Sequence, residues 1–529
     1  MSLQHHIDRP RRLATRALAA AVLVAAAASA AEAPLPMSLE EAITRALDKN
    51  ENILIERAGR DAAVAAVEGA DGAYDPFLAF SAAWERSVQP VNSAFSGAPE
   101  GEPAPTDERL DGSATLDQLL PTGGAVSVRA LSSRAETDGA FGLLSPAYGS
   151  QLGVELRQPL LRDRAVDSAR LGLRVAAADR DRAVASLRRE VRDTVAAVED
   201  AYWRLVALRR VVDVGRETVG LAVEQLDQTR LRIENGVAPE TEISQPQAEL
   251  ERRRGDLLAA EEGVSRAESA LKLLILGDEE AELWARSIEP LDDVEIAPRS
   301  VDVASAMERA LASRAELTAA TSFVERRRAE TEFAVDRVRP TLDLVLSYDR
   351  YGLTGSRNPA GSSIPGLDGE VPPEFEGGWG SSFSALGDGD FDDSRIALEL
   401  GLPIGNHAAK AGAEIARAAE RQATADLTRV RKSIRAEVLD AAAAVETAAG
   451  RIEAARAARE AAEVQLSSER ERYGAGLSTN FLVLTRQNDL AGARVDEIRA
   501  LTDYRTAWTE LARATGSLLE DRGIEVEER

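Results

Sequence analysis

"RYGAGLSTN", residues Arg472–Asn480, interrupts a long stretch with helical periodicity, and "RIENGVAPE", residues Arg232–Glu240, interrupts another one 240 residues earlier. Each segment contains a glycine, Gly476 or Gly236, that can take the positive φ at which helices commonly end. Residues that favour the start of a helix follow each glycine, namely Pro239, Ser478 and Thr479. Both segments therefore predict the turn of a helical hairpin.

An apolar stripe with alternating spacings of four and three residues precedes each turn. In the second half its positions are Val438, Ala441, Val445, Ala448, Ile452, Ala455, Arg459, Ala462 and Leu466. In the first half they are Val191, Val195, Val198, Tyr202, Leu205, Arg209, Val212, Arg216, Val219, Val223 and Leu226. A mean spacing of 3.5 is typical of left-handed coiled coils. The stripes predict two helices of about 65 to 70 residues, each about 100 Å long.

The two halves of the chain resemble each other. "TRALDKN" at 44–50 corresponds to "ERALASR" at 308–314, and the same offset of 264 carries Pro76 onto Pro340. The offset between corresponding residues falls to 240 at the two turns. Its last change is one heptad, and the loss of a whole heptad leaves the apolar stripe on the same side of the helix. The sequence therefore predicts an internal structural duplication.

Strand patterns with one apolar face precede each long helix. The outgoing segments are "PFLAFSAAWER" at 76–86 and "PTLDLVLSYDRY" at 340–351, and the returning ones are "QLGVELRQ" at 151–158 and "RIALELGL" at 395–402. Period-two alternation indicates half-buried strands. Trp84 and Tyr348 end the two outgoing apolar faces, which suits membrane-interface aromatics. The alternative is the sheet of a soluble protein.

The connections between these strands are rich in Gly, Pro, Ser and Asp, and we expect residues 89–111 and 352–394 to form solvated loops. The first half also contains "SATLDQLLPTGGAVSVRALS" at 113–132, two strand-like runs around Gly123-Gly124. This hairpin has no counterpart in the second half. It either decorates a barrel from outside or enlarges it.

The first thirty residues have the pattern of a secretory signal peptide. Four arginines precede the apolar run "ALAAAVLVAAAA", and small residues follow it. A single anchoring helix is the alternative, which the shortness of the run disfavours. No later stretch has eighteen consecutive apolar residues, so an exported chain that crosses a membrane is expected to do so with β-strands.

The composition excludes several functions. A net charge of −25 argues against nucleic acid as a partner. The chain has no cysteine and three histidines, two of them in the leader, so we expect no metal site. Motifs for phosphate binding and nucleophilic catalysis are absent as well. We therefore expect neither catalytic residues nor a cofactor.

Three segments resemble the TolC-like outer-membrane efflux proteins: "RYGAGLSTNFLVLTRQNDLAGAR" at 472–494, "RIENGVAPETEISQPQAELERRR" at 232–254 and "RQPLLRDRAVDSARLGL" at 157–173. The resemblance implies a homotrimer in the outer membrane. Each protomer would give four strands to a shared twelve-stranded barrel, and its helices would form a tunnel across the periplasm.

The resemblance also implies partners. A periplasmic adaptor (a membrane fusion protein) would dock on the hairpin tips, and an inner-membrane transporter would complete the assembly. The tip residues that the motifs place in this role are Arg232, Gly236, Val237, Arg472, Gly476 and Leu477.

The chain departs from the family pattern at the periplasmic entrance. Many members carry aspartates six and nine residues after the second tip glycine, where this chain has Leu482 and Thr485. Glu240 and Glu242 near the first tip could supply an acidic ring instead. The alternative is a solvated helix N-terminus, which acidic side chains also favour.

The predicted fold class is an α+β membrane protein, a trimeric α-barrel of coiled-coil helices joined to a shared β-barrel. The predicted segments are a signal peptide (1–30), an equatorial helical segment (31–73), a first β-barrel segment with the extra hairpin (74–158), a first helical hairpin and linker (159–299), a second equatorial helix (300–339), a second β-barrel segment with a long acidic loop (340–404) and a second helical hairpin with the C-terminus (405–529).

The resulting hypothesis is an outer-membrane exit channel of a tripartite efflux or type I secretion system. A periplasmic or surface coiled-coil scaffold that enters no membrane is the alternative. Drugs, metals and proteins all remain open as transported substrates.

Overall fold

A computed structural model describes residues 34–90, 97–99, 102–293, 297–361 and 370–526. The predicted signal peptide, residues 1–30, lies outside these ranges. The chain divides into two compact units. Unit 1 comprises Met1–Arg57, Ser186–Ala315 and Arg431–Arg529, and unit 2 comprises Ala58–Ala185 and Glu316–Val430.

Helices make up most of the described residues. They are α1 (Leu39–Lys49), α2 (Glu51–Asp71), α3 (Ser168–Glu234), α4 (Ser244–Ile275), α5 (Ala281–Ala285), α6 (Val303–Ser313), α7 (Ala315–Asp336), α8 (Trp379–Asp388), α9 (His407–Gly474), α10 (Asn480–Thr515) and α11 (Leu518–Asp521). The strands are β1 (Leu35–Met37), β2 (Phe77–Val88), β3 (Thr106–Leu119), β4 (Ala125–Thr137), β5 (Leu144–Pro159), β6 (Ile288–Pro290), β7 (Thr341–Arg357) and β8 (Asp392–Gly401).

The strands of unit 2 form one antiparallel sheet in the order β2-β3-β4-β5-β7-β8. The resemblance implied four strands for each chain, and this sheet has six. The additional two are β3 and β4, which are hydrogen-bonded on both sides. Unit 1 contains a separate parallel pair, β1 with β6.

Parts of the two expected loops are regular structure. Residues 106–111 belong to β3, and residues 352–357 extend β7, whose pairing with β5 continues to Arg357 opposite Leu144. Helix α8 lies within the second expected loop. The loop prediction was wrong there because Gly, Ser and Asp remain compatible with a strand when both neighbours supply hydrogen bonds.

The internal duplication predicted from sequence is present in the helices that precede each sheet segment. Helices α1 and α6 have the same length, and an offset of 264 superposes both their ends. The Ser38 side chain caps α1 by accepting from the backbone N–H of Glu41, and Asp302 caps α6 by accepting from Ala304 N–H. The same capping chemistry thus starts both copies.

The predicted apolar stripes are largely buried within unit 1. Val191, Val195, Val198, Tyr202, Leu205, Val212, Leu226, Val438, Ala441, Val445, Ala448, Ile452, Ala462 and Leu466 are all buried. Three arginines interrupt the stripes, and each pairs with the other helix of its hairpin. Arg216 lies 3.6 Å from Glu261. Arg209 lies 2.7 Å from Glu268, and Arg459 lies 2.6 Å from Glu497. Burial of the stripe drives the packing, while the arginine stems cover apolar surface and keep their charges paired.

Tyr202 joins helix α3 to the β1–β6 pair inside unit 1. Its hydroxyl lies 2.7 Å from Asp292 Oδ2 and 3.0 Å from the carbonyl oxygen of Met37, and the same carboxylate accepts from Leu39 N–H at 2.8 Å. Burial is the largest cause that raises the pKa of Tyr202 above its ordinary value of 10, and the hydrogen bond to Asp292 is the second largest. The buried phenol is therefore neutral over the physiological range.

We expect Tyr202→Phe to lower the free energy of unfolding by about 1 to 3 kcal/mol, because it leaves the buried carbonyl oxygen of Met37 without its donor. In the wild type, Tyr202 makes its full contribution to the free energy of unfolding below pH 10. Above pH 10 this contribution falls, because the phenol ionises at a lower pH in the unfolded chain than in the folded one. Thermal unfolding followed by circular dichroism measures both effects. Tyr351→Phe, at a 39% exposed position, is the control and should change little. Equal melting temperatures for the two variants would contradict the expectation.

Candidate functional site

The first hairpin turn closes helix α3 with a Schellman motif. Val237 N–H donates to the carbonyl oxygen of Arg232 at 2.8 Å, and Gly236 N–H donates to that of Ile233 at 2.9 Å. Gly236 has φ = 71°, which a glycine adopts at little cost. Val237 projects from this turn with 68% of its surface exposed.

The second turn repeats this geometry at the end of α9. Leu477 N–H donates to the carbonyl oxygen of Arg472 at 2.8 Å, Gly476 N–H donates to that of Tyr473 at 3.0 Å, and Gly476 has φ = 76°. Leu477 is 73% exposed. Nothing lies within 4 Å of where a Cβ would stand on Gly236 or Gly476. Both turns therefore present open backbone and one exposed apolar side chain.

The two turns contact each other within unit 1. The Arg232 guanidinium stands 5.3 Å from the centroid of the Tyr473 ring and donates to the Tyr473 hydroxyl. Nearby, the Gln225 side-chain amide donates to Asn480 Oδ1 at 2.5 Å. Tyr473 was not singled out from sequence, although it follows Arg472 directly in the motif. The six predicted tip residues thus lie on two turns that are held together.

The predicted entrance residues lie just beyond the turns. Glu240 and Glu242 are exposed in a 3₁₀ turn, Glu240–Ile243, that precedes α4. Leu482 and Thr485 are half-buried in the first turns of α10. Thr479 caps that helix by accepting from Leu482 N–H at 3.4 Å. The carboxylates are therefore on the first hairpin, while the corresponding positions of the second carry no charge.

The sheet of unit 2 has a polar face. Residues directly opposite each other in neighbouring strands point to the same side of the sheet. The strand register places nine acidic side chains on the polar face: Glu85, Asp107, Asp111, Asp117, Glu155, Asp343, Asp349, Asp393 and Glu399. Five basic ones accompany them: Arg109, Arg129, Arg157, Arg357 and Arg395. The polar face thus carries four more acidic than basic side chains.

Ion pairs on the polar face connect strands. Arg157 on β5 lies 2.8 Å from Asp343 on β7 and 2.7 Å from Glu399 on β8. Asp349 accepts a hydrogen bond from Gln151 at 2.8 Å and lies directly opposite Asp393 in the register. The Asp349–Asp393 pair is therefore a concentration of negative charge on this face.

The opposite side of the sheet is the apolar face. It includes Leu78, Phe80, Trp84, Leu110, Leu116, Val126, Val128, Leu152, Val154, Leu156, Leu342, Leu344, Leu346, Tyr348, Ile396, Leu398 and Leu400. Many of these side chains are exposed, Phe80 to 75% and Ile396 to 81%. The predicted interface aromatics, Trp84 and Tyr348, are exposed on this face. So large an exposed apolar surface indicates an interaction site.

Helix α8 packs on the apolar face, toward the end of the sheet that lies away from α3 and α9. Trp379 Nε1 donates to Ser132 Oγ on β4 at 2.6 Å, and Ser150 Oγ on β5 donates to the carbonyl oxygen of Ser382 at 2.6 Å. The Trp379 ring stacks on Tyr148 with 6.1 Å between ring centroids. The sequence did not indicate this helix, because a composition rich in Gly and Ser is typical of a loop.

Neither a metal site nor a spanning helix is found in the part of the chain that the structure describes. Within those ranges no three His, Cys, Asp or Glu side chains are arranged to hold a metal ion. No described helix combines the length and the hydropathy needed to cross a membrane.

Comparisons with known proteins agree with these features. Residues 42–277 and 306–517 match the profile of a family described as "Outer membrane efflux protein". The outer membrane efflux protein BepC of Brucella suis biovar 1 (strain 1330) is 23% identical over 344 residues, which cover 64% of this chain and 67% of BepC.

Solved structures share the fold. A membrane protein from Pseudomonas aeruginosa superposes with a TM-score of 0.60 at 20% identity, covering 90% of this chain and 93% of its own. The CmeC outer membrane channel of Campylobacter jejuni gives a TM-score of 0.62 at 14% identity, with 91% and 86% covered. The family match spans both halves of the duplication and both hairpin turns. The chain therefore belongs to the outer membrane efflux proteins, a family of outer-membrane channels rather than enzymes.

Proposed function

We propose that this protein is the outer-membrane exit channel of a tripartite efflux or type I secretion system and conducts its substrates passively. The observation that carries the proposal is the two-faced sheet, apolar on one side and acidic on the other. Such a sheet suits a wall between lipid and an aqueous lumen. Membership of the efflux family favours this function over a coiled-coil scaffold.

Closure of the wall requires further copies of the chain. Strands β2 and β8 stand at the two ends of the sheet, and both carry exposed apolar side chains. An open strand edge in lipid leaves backbone groups without hydrogen-bond partners, so the edges must pair. A homotrimer with β2 of one chain against β8 of the next satisfies both edges by cyclic symmetry.

The hairpin turns are the proposed docking point for a periplasmic adaptor. Exposed Val237 and Leu477 flank the paired Arg232 and Tyr473, so the surface is apolar with a fixed polar centre. Such a combination suits recognition of another helical hairpin. Glu240 and Glu242, beside the first turn, are the proposed acidic residues of the periplasmic entrance.

Energy for transport must come from a partner, since the sequence contains no nucleotide-binding motif. We propose that an inner-membrane transporter supplies it and delivers substrates through the adaptor. Substrate selection then resides in the transporter, and the channel contributes its width and its lumenal charge.

A matched pair of arginine substitutions on β2 tests the channel wall. We expect Phe80→Arg, on the apolar face, to reduce outer-membrane insertion strongly, since arginine facing lipid costs about 2 to 4 kcal/mol near the bilayer centre. Ala83→Arg, on the polar face of the same strand, should insert normally. Carbonate extraction and gel analysis of the detergent-solubilised trimer measure both. A wild-type protein that leaves the membrane as a monomer without detergent would refute the proposed function.

A further inference from the structure

Two strands of the sheet come from the hairpin that interrupts only the first half of the duplication. Strand β3 pairs with β2 from Val88 opposite Thr106 to Phe77 opposite Asp117. Strand β4 pairs with β5 from Ala125 opposite Arg157 to Ala135 opposite Ala147. The hairpin therefore lies in the middle of the sheet and is not a flap on its edge.

The turn of this hairpin is fitted to the start of helix α3. Thr122 Oγ1 donates to Gln158 Oε1 at 2.8 Å, and Gln158 Nε2 donates to the carbonyl oxygen of Thr122 at 3.1 Å. Gly123 has φ = 84°, and a Cβ there would stand 2.5 Å from both the Asp163 carbonyl oxygen and Arg170 Nη2. The turn thus reaches the same level as the end of β5, and both hairpin strands extend over the full height of the sheet.

The hairpin also has the two faces of its neighbours. On β3 the polar face carries Asp107, Arg109, Asp111, Ser113, Thr115 and Asp117. The apolar face carries Leu110, Gly112, Ala114 and Leu116, with the polar Glu108 and Gln118 toward its two ends. On β4, Val126 and Val128 continue the apolar face, and Ser127 and Arg129 continue the polar one. A strand outside the wall would have no need of this alternation.

Helix α8 fastens the hairpin to the strands shared with the second half. It bonds Ser132 on β4 through Trp379, and it accepts from Ser150 on β5 at the Ser382 carbonyl. The contacts of one helix therefore bridge β4 and β5 on the apolar face. The hairpin is therefore held in the sheet by side-chain contacts as well as by backbone hydrogen bonds.

We infer that this channel closes as a barrel of eighteen strands, six from each of three copies, with a lumen wider than four strands per chain would give. The inference rests on the proposed trimer. With strands about 4.8 Å apart and tilted by about 40°, the backbone diameter is about 36 Å, against about 24 Å for twelve strands. The additional backbone width of about 12 Å lies wholly in the lumen. Because the side chains narrow both barrels by the same amount, the outer end of the channel admits solutes more than about 1.5-fold wider.

Cysteine labelling tests whether the hairpin is part of the wall, and the chain contains no cysteine of its own. On the hairpin, Ser113→Cys and Ser127→Cys face the lumen, whereas Ala114→Cys and Val128→Cys face lipid. We expect a membrane-impermeant thiol reagent to label the first two in intact cells and to leave the other two unlabelled. Ser347→Cys and Leu346→Cys on β7 are the matched controls. Equal labelling of both faces of the hairpin, with alternation kept on β7, would overturn the inference.

Deletion of residues 106–137 tests the width. Removing the two hairpin strands leaves β2 and β5 antiparallel to each other. Leu78 on β2 and Val154 on β5 are aligned through Leu116 and Val128 of the hairpin, so the apolar residues of β2 and β5 would still face the same side. We expect maleimide-linked polymers to reach Ser347→Cys in both chains, and the widest polymer that the full chain admits should be more than about 1.5-fold wider than the widest that the deleted chain admits. An unchanged size limit overturns the inference.

The two proposals fail in distinguishable ways. Absence of a membrane-embedded trimer from the full chain refutes the proposed function. A trimer with uniform labelling of the hairpin refutes only the wide barrel. If the shortened chain does not assemble, the alternation of labelling in the full chain still decides the question.

Discussion

Replacing Gly476 or Gly236 with tryptophan is expected to abolish export while the amount of trimer stays normal. Both glycines have positive φ, where a residue with a Cβ costs about 1 kcal/mol more. That loss is small against the buried stripes of α3 and α9. Nothing lies within 4 Å of where a Cβ would stand at either position, so the added side chain starts into open space.

The expected loss arises at the docking surface. The turns expose Val237 and Leu477 beside the Arg232–Tyr473 pair, and an indole group would occupy the space where an adaptor hairpin has to approach. Export assays, adaptor cross-linking and trimer abundance should be measured in the same strain. We expect cross-linking and export to disappear together while a heat-resistant trimer persists.

Alanine provides the matched control. Gly476→Ala and Gly236→Ala have the same unfavourable positive φ but add only one methyl group, and we expect both to export normally. If alanine and tryptophan reduce export and trimer level in parallel, the turns act only as connectors. Full adaptor cross-linking by both tryptophan variants would contradict docking at the tips.

The second large effect concerns ion selectivity. The polar face has four more acidic than basic side chains in each copy, so a lumen lined by this face carries a negative potential of about one to several kT. We expect a planar bilayer with a salt gradient to show a reversal potential of the sign that cation preference gives. Anion preference in the wild type would refute this.

Two double variants separate lumenal charge from net charge. Asp349→Lys with Asp393→Lys alters a facing pair on the polar face, and we expect most of the cation preference to be lost. Glu108→Lys with Glu136→Lys alters a facing pair on the other side of the sheet by the same net charge. This control should keep the wild-type selectivity. Equal shifts in both double variants would show that the polar face does not line the conducting path.

Local sequence predicted much of this architecture because the features concerned are set by neighbouring residues. The spacing of Val438, Val445 and Ile452 fixes the buried side of a helix whatever packs against it. Gly236 and Gly476 end their helices through bonds within six residues. The alternation along β7 likewise assigns Leu344 and Asp343 to opposite faces without any knowledge of the partner strand.

The motifs assigned the six predicted docking residues to the two turns, but they did not predict the contact between the turns. Arg232 and Tyr473 are 241 residues apart, and only the packing of two hairpins in unit 1 brings them into contact. The same applies to Tyr202, whose stripe position was evident. Its partners are Met37 in β1 and Asp292 just after β6, both distant in sequence. Pairings of this kind depend on the whole fold, which no local pattern encodes.

By itself, the sequence determined the duplicated halves, the long helices, their turns and the two faces of each strand, because each follows from periods of 3.5 or 2 and from the backbone freedom of glycine. The tertiary structure alone decided how many strands make the sheet. The alternation along β3 predicts which face of the sheet each of its residues occupies, but it does not determine which strand pairs with β3. The hydrogen bonds of β3 to β2 and of β4 to β5 decided that the hairpin belongs inside the sheet, because strand neighbours are chosen by backbone groups that are chemically the same in every residue but proline.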